Sequence, residues 1–389
     1  MTMLITICAV LMFFSLVFSR HRWYAPSVLA SGIWLVSLIL YACIDHGMHP
    51  LRPEICRTIT CWISIFCISS WCVQSLYIKP LFYEIKSSVL VRDIYYYISL
   101  CTLPVMLITV ILVLRHSGGN PFSTLRDANV EGSHGMRTTG VFVAFWLMSY
   151  ILELQACNRA NIGRVILLFC INLFYAIISM GKTNFMILFM SSAIILYHRK
   201  LINFKHLVIG FVLLLSMFVG VQYLRGSYTN SKEFVALYFT SSLGNFNSNV
   251  QAQSSENSGE NTFRLFYAMK SQLDGGRTKV VNPILDFKHV EVGDFAFGSN
   301  TYTALYPFYK DFGNRGVIVF AVLLGLLFGY LFKTSEDGSS LALVLYAIFS
   351  GTIVMQIIGD TFFTLLSQNI QYVIIGLIAF MVKGQEIKV

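Results

Sequence analysis

Long apolar runs alternate with short polar connections along almost the whole chain. A bilayer's hydrocarbon core is about 30 Å thick, so a spanning helix needs roughly 20 mostly apolar residues. Eleven stretches meet or approach that length: 2–18, 27–44, 58–77, 95–114, 139–156, 164–180, 184–198, 206–224, 316–332, 340–358 and 369–382. In lipid every backbone N–H and C=O must be paired internally, which leaves helices or closed barrels. A barrel would instead show alternating segments of about ten residues. The pattern therefore predicts an all-α polytopic membrane helix bundle with about 11 (roughly 10–12) transmembrane helices. The whole chain, 1–389, reads as one polytopic membrane domain.

Two polar excursions break the pattern, at 115–138 and 225–315. Connections this long between spans are where function concentrates. In the shorter one, Gly118-Gly119-Asn120-Pro121 is a turn signal. In the longer one, 232–243 is apolar enough to lie along a membrane surface, and 245–259 is polar and reads as mobile. Residues 260–273 read as a short amphipathic helix, with Phe263, Phe266, Tyr267 and Lys270 at helical spacing, Asn261 as its cap and Asp274-Gly275-Gly276 as its stop.

Composition agrees with a membrane protein: 56% hydrophobic, 12% charged, mean hydropathy +0.67. The formal charge of +9 orients the chain. Taking alternate loops as cytoplasmic gives that side thirteen Lys and Arg, counting the tail, against six in the opposite short loops. The six are Arg52, Arg57, Arg115, Arg126, Arg137 and Lys182. The positive-inside rule then puts 225–315 outside the cytoplasm. At the N-terminus the first positive cluster, Arg20-His21-Arg22, follows the apolar run, so the expectation is a retained span and not a signal peptide. The positive balance suits anionic lipid headgroups, and no nucleic-acid module is expected. Nine cysteines all lie in the first half. Their spacing fits no metal motif, so they read as small core residues.

Several motifs reduce to packing. Gly181-Lys182-Thr183 imitates the end of a phosphate-binding loop, but position 176, where the pattern needs Gly, is Ala. Gly325 and Gly329 permit close helix approach within the bundle. Glu153, inside a span, demands a partner. Asp360, with Gln356 one turn earlier, reads first as a solvated helix end.

Cations on the outer side carry more information. Arg presents a planar fork that holds phosphate with two hydrogen bonds. Arg225 stands where a span leaves the membrane, and Arg264, Lys270, Arg277, Lys279, Lys288, Lys310 and Arg315 follow it. The same loop crowds aromatic rings, Phe263, Phe266, Tyr267, Tyr302, Tyr306, Phe308 and Phe312 among them. Flat rings among Asn, Asp and Arg suit carbohydrate, whose C–H faces stack on them.

The run Asn300-Thr-Tyr-Thr-Ala-Leu-Tyr-Pro-Phe-Tyr-Lys-Asp-Phe-Gly-Asn-Arg-Gly316, entering the Gly325/Gly329 span, resembles the O-antigen polymerase family. These are Wzy-type oligosaccharide repeat-unit polymerases of bacterial inner membranes. A looser likeness lies at 179–183, where Lys182 replaces the family's Arg. The resemblance implies a membrane glycosyltransferase at the periplasmic face of the cell inner membrane. It would move an undecaprenyl-diphosphate-linked glycan onto an incoming lipid-linked repeat unit, building O-antigen or a related surface polysaccharide. Partners expected on that basis are the lipid-linked donor and acceptor, the bilayer and a chain-length regulator.

That reaction needs cations for the departing diphosphate, a base for the attacking hydroxyl and groups that align the acceptor. Arg225, with Lys182, Arg264, Arg277 and Arg137, can supply the first. Asp311, Asp294, Glu291 and His289 are available as bases, and Asn300 and Tyr302 as aligning groups. No metal and no cofactor are expected. An O-antigen ligase, which shares the donor but uses lipid A-core as acceptor, is the alternative enzyme. A lipid-linked oligosaccharide flippase is the alternative of another class. The expected mark of a flippase, cations buried across two pseudo-symmetric halves, is not visible here.

Overall fold

The structure is a computed structural model that describes residues 1–44, 48–83, 85–117, 119–133, 135–179, 181–224, 239–249, 258–282, 290–291, 298–299 and 301–382. Among these residues the chain is all-helical, apart from a two-residue antiparallel ladder between Val290–Glu291 and Gly298–Ser299. The helices in order are α1 (Thr2–Phe18), α2 (Pro26–Cys43), α3 (Pro53–Ser75), α4 (Val89–Arg115), α5 (Pro121–Glu131), α6 (Met136–Gln155) and α7 (Ile162–Ser179). There follow α8 (Lys182–His198), α9 (Phe204–Leu224), α10 (Ser241–Asn249), α11 (Arg264–Leu273), α12 (Leu305–Glu336), α13 (Ser340–Val354) and α14 (Leu366–Met381).

Each of the eleven apolar stretches falls on a helix. Six of these helices are long and apolar enough to cross a membrane; Thr2–Phe18, Thr139–Gln155, Lys205–Gly220 and Leu366–Met381 are shorter apolar segments. Apolar side chains also face outward where a soluble protein would place charge. Val105, Ile108, Ile111 and Leu112 do so on α4, and Ile209, Phe211 and Val212 on α9. These helices mark a membrane protein.

Local chemistry sets the helix boundaries. Proline stands at the first turn of α2, α3 and α5, where its missing N–H costs nothing. Asn120 caps α5 by accepting from the Phe122 N–H at 2.9 Å, and Gly132 ends it in the left-handed region. Asn120-Pro121 of the predicted turn thus open a helix, Gly118 lies outside the described residues, and most of the described residues of 115–138 are helical.

The chain forms two compact units. The second comprises 79–228, 334–351 and 367–389, with α4 to α9 packed in succession. Its Glu153 has the partners its burial demands: Asn161 Nδ2 donates to it at 2.7 Å, Arg92 lies at 3.6 Å and Arg164 at 3.9 Å. Arg164 also pairs with Asp93 and lies over the Tyr96 ring. Arg199 closes the same region by donating to the carbonyls of Leu154 and Cys157. Glu153 is a structural knot.

The first unit comprises 1–78, 229–333 and 352–366. Within it α1, α2 and α3 pack on one another. Gly325 and Gly329 let α12 approach α3 closely. A Cβ at 325 would stand 2.6 Å from the Phe66 carbonyl oxygen, and one at 329 would stand 2.9 Å from that of Ser70. The small-residue motif therefore serves packing within the chain, as its spacing predicts.

Candidate functional site

In the first unit, residues 301–304 and the helix α10 are laced together around the end of α13. That helix tightens into a 3-10 turn at Met355–Ile357, and Gly359-Asp360 follow. The backbone N–H of Ala304 donates to the Gln356 carbonyl at 2.8 Å, Ser242 donates to the Ile357 carbonyl, and Asn245 Nδ2 donates to the Thr301 carbonyl at 2.7 Å. On the helix side, Trp34 of α2 and Trp62 of α3 donate their indole N–H groups to Gln356 Oε1 at 3.2 and 3.1 Å. One glutamine oxygen thereby fixes two helices and the turn.

Residues 241–247, expected in part to be mobile, are buried in α10. The cause is polar satisfaction: Asn247 accepts from the Arg52 N–H at 2.8 Å and donates to the Pro50 carbonyl at 3.2 Å. An asparagine-rich run can be core when each amide finds backbone partners.

Asp311 holds the segment before α11. Its carboxylate accepts from the Asn261 N–H at 3.1 Å, Asn261 Nδ2 at 2.7 Å and the Thr262 N–H at 2.8 Å. Asn261 therefore does not cap the helix, as its position predicts; α11 starts at Arg264, with Phe263 at the cap. Asp274 does end α11, accepting from the N–H groups of Arg277 and Thr278 before Gly275 and Gly276 turn with positive φ.

Phe263 is the hub of an aromatic wall. Its ring lies 5.9–6.2 Å from those of Phe266, Phe312, Phe320 and Phe363. Phe308 stacks on Phe320 at 4.4 Å and on Trp62 at 5.7 Å. The wall depends on a break in α12 at Gly313 (φ 63°), which folds Leu305–Phe312 back on the continuing helix. Gly316 makes this possible, since a Cβ there would stand 2.5 Å from the Phe308 carbonyl oxygen. The glycines that carry the family resemblance thus build the fold of the site.

Beside this wall lie Arg264 and Asp360. Nε and Nη2 of Arg264 are buried without a hydrogen-bond partner, as is Oδ2 of Asp360. Asp360 is 8% exposed, and its Oδ1 accepts from the Phe362 and Phe363 N–H groups, both at 3.1 Å. Burial pushes the Asp360 carboxyl up to about 6, against the opposing pull of the Phe363 N–H and the Arg264 charge. Burial likewise lowers the Arg264 guanidinium, and Asp360 raises it. The hydroxyls of Thr262, Thr303 and Thr361 are buried and unpartnered as well. Buried polar groups are normally hydrogen-bonded, and these unpartnered groups single out this part of the first unit as the candidate site.

Of the residues named from sequence, Arg264, Asp311 and Tyr302 fall in this unit. Tyr302 is buried, stacks on Tyr306 at 4.1 Å, and has its phenol pushed up by burial. Its backbone carbonyl lies against Gly359. Arg277 is exposed, following the Asp274 turn. Lys182, the first residue of α8, and Arg137, in α6, belong to the second unit; the Arg137 side chain lies outside the described set. Arg225, His289, Asp294 and Asn300 lie outside the described residues. Asp311, a candidate base, has both oxygens engaged by donors and acts as a tie. Among the described residues no three His, Cys, Asp or Glu side chains come together to hold a metal. No protein-family profile, curated protein or solved structure matches the chain.

Proposed function

We propose that this protein is an inner-membrane glycosyltransferase that polymerises undecaprenyl-diphosphate-linked oligosaccharide repeat units at the periplasmic face. The observation that carries the reading is Arg264, which directly follows the ring hub Phe263 and whose Nε and Nη2 are buried without a hydrogen-bond partner. A guanidinium in a shielded site binds a diphosphate through paired N–H donors more strongly than in water. Aromatic rings beside it suit the C–H faces of sugars. The charge bias along the chain supports an extracytoplasmic position for the loops that form the site.

The substrate already carries a good leaving group, so the residues needed are few: a cation for the diphosphate, an acceptor for one proton and groups that align the incoming sugar. The hydroxyls of Thr262, Thr303 and Thr361 are available for alignment.

Deleting the gene in its host and separating the surface polysaccharide on a gel tests the reading. Lipopolysaccharide with a single repeat and no ladder is the expected result. Polymer accumulating on its lipid carrier, with none attached to lipid A-core, would mean a ligase. An unchanged ladder would overturn both.

A further inference from the structure

The base in this reaction cannot be chosen from sequence, where Asp311, Asp294, Glu291 and His289 all qualify. Side-chain geometry separates Asp311 from Asp360. Three donors on Asn261 and Thr262 already occupy the Asp311 oxygens. Asp360 instead accepts from the Phe362 and Phe363 N–H groups on one oxygen, with the Thr364 N–H also acting on the carboxyl, and its Oδ2 is buried without a hydrogen-bond partner. The ionisable group whose charge acts on it is Arg264, from α11.

We infer that Asp360 takes the proton of the attacking sugar hydroxyl, while Arg264, whose charge acts on it, holds the departing diphosphate. This rests on the polymerase reading. In the step, the acceptor hydroxyl oxygen bonds to the donor's anomeric carbon. The bond from that carbon to the diphosphate oxygen breaks, and its electron pair leaves on the diphosphate. The hydroxyl proton passes to Asp360 Oδ2 and from there to solvent. No metal or redox partner enters the balance.

Two properties fit Asp360 to this task. Its carboxyl, raised to about 6, is ionised at neutral pH yet more basic than an exposed aspartate. Arg264 also gives one positive charge that serves twice, toward the carboxylate base before transfer and toward the diphosphate after it.

The test uses the full chain in nanodiscs. Asp360→Asn is nearly isosteric and keeps an oxygen for the Phe362 and Phe363 N–H groups. It is expected to slow elongation of lipid-linked repeat units by about 10²- to 10⁴-fold. Its affinity for undecaprenyl diphosphate should stay within about two-fold of wild type, because the loss lies in the transition state. Asp360→Glu should recover part of the rate. Arg264→Ala should weaken undecaprenyl diphosphate binding by about ten-fold or more, with Arg264→Lys intermediate. An Asp360→Asn protein that elongates at the wild-type rate would overturn the assignment. So would one that loses carrier binding and thermal stability together, since that marks a structural role. A wild-type protein that binds the carrier but does not elongate would overturn the polymerase reading itself.

Discussion

Trp34 and Trp62, from separate helices, share one acceptor: both indole N–H groups donate to Gln356 Oε1, at 3.2 and 3.1 Å. All three residues are buried, so neither indole can turn to water if the acceptor is lost. Gln356→Leu keeps the volume and removes that oxygen. Each orphaned donor costs about 1–3 kcal/mol, and the variant should lose roughly 2–6 kcal/mol in all. Thermal unfolding in detergent, followed by size-exclusion fluorescence, reads the loss directly. An unchanged midpoint would show that the glutamine does not organise the site.

Asp311 makes a different prediction. Its carboxylate ties Asn261 and Thr262 to α12, and the segment it holds carries Phe263 and Arg264. Asp311→Ala should therefore free the entry to α11 and expose the chain near 258–265 to limited proteolysis. Stability should fall by about 1–3 kcal/mol. If Asp311 were instead the proton acceptor, the variant would lose activity with its protease pattern and melting unchanged.

Close helix packing can be tested by a single methyl group. A Cβ at Gly325 would stand 2.6 Å from the Phe66 carbonyl oxygen and 2.8 Å from the Ser69 Cβ, whereas one at Gly210 meets nothing within 4 Å. Gly325→Ala should destabilise the protein by about 1–3 kcal/mol through overpacking. Gly210→Ala, in α9, should be neutral or slightly stabilising, since Ala is the better helix former by about 1 kcal/mol. Equal melting temperatures for the two variants would contradict the packing described.

Asp360 links stability to pH in a direction opposite to most carboxylates. The unfolded aspartate ionises near 3.9, and the folded one at about 6. Between these values the folded state holds the proton that the unfolded state has released, so stability falls as pH rises. The contribution of the protonated group is complete below about pH 4 and lost above about pH 6. Comparing wild type with Asp360→Asn across pH 4 to 7 isolates it: the asparagine variant should lack this slope. On the proposed reading elongation should run the other way, rising with pH through about 6 as the carboxylate becomes available.

The helices were legible because lipid imposes one rule on every backbone group, and apolar runs report it directly. All eleven runs became helices for that reason. The Gly325/Gly329 approach was legible too, since its spacing places both glycines on one helix face. What was not legible depended on contacts far apart in sequence. Asn247 reads as a mobile polar residue until Arg52 and Pro50 are placed beside it. Asn261 has the position of a helix cap, but Asp311, fifty residues away, takes its side-chain amide as a donor. Asp360 reads as a solvated helix end. In the fold it is buried and under the charge of Arg264, almost a hundred residues earlier in the chain. Arg264 was named from sequence as one cation among several; burial of its guanidinium is what singles it out.

The central claim is that this membrane protein joins lipid-linked repeat units, and purified protein tests it most directly. The protein is placed in nanodiscs with undecaprenyl-diphosphate-linked repeat units from its host, and the products are resolved by mass spectrometry. The account predicts a series of glycans, each longer by one repeat, with free undecaprenyl diphosphate released for every linkage formed. Repeat units that stay single, with no diphosphate carrier released while the protein remains folded and binds the carrier, would contradict it.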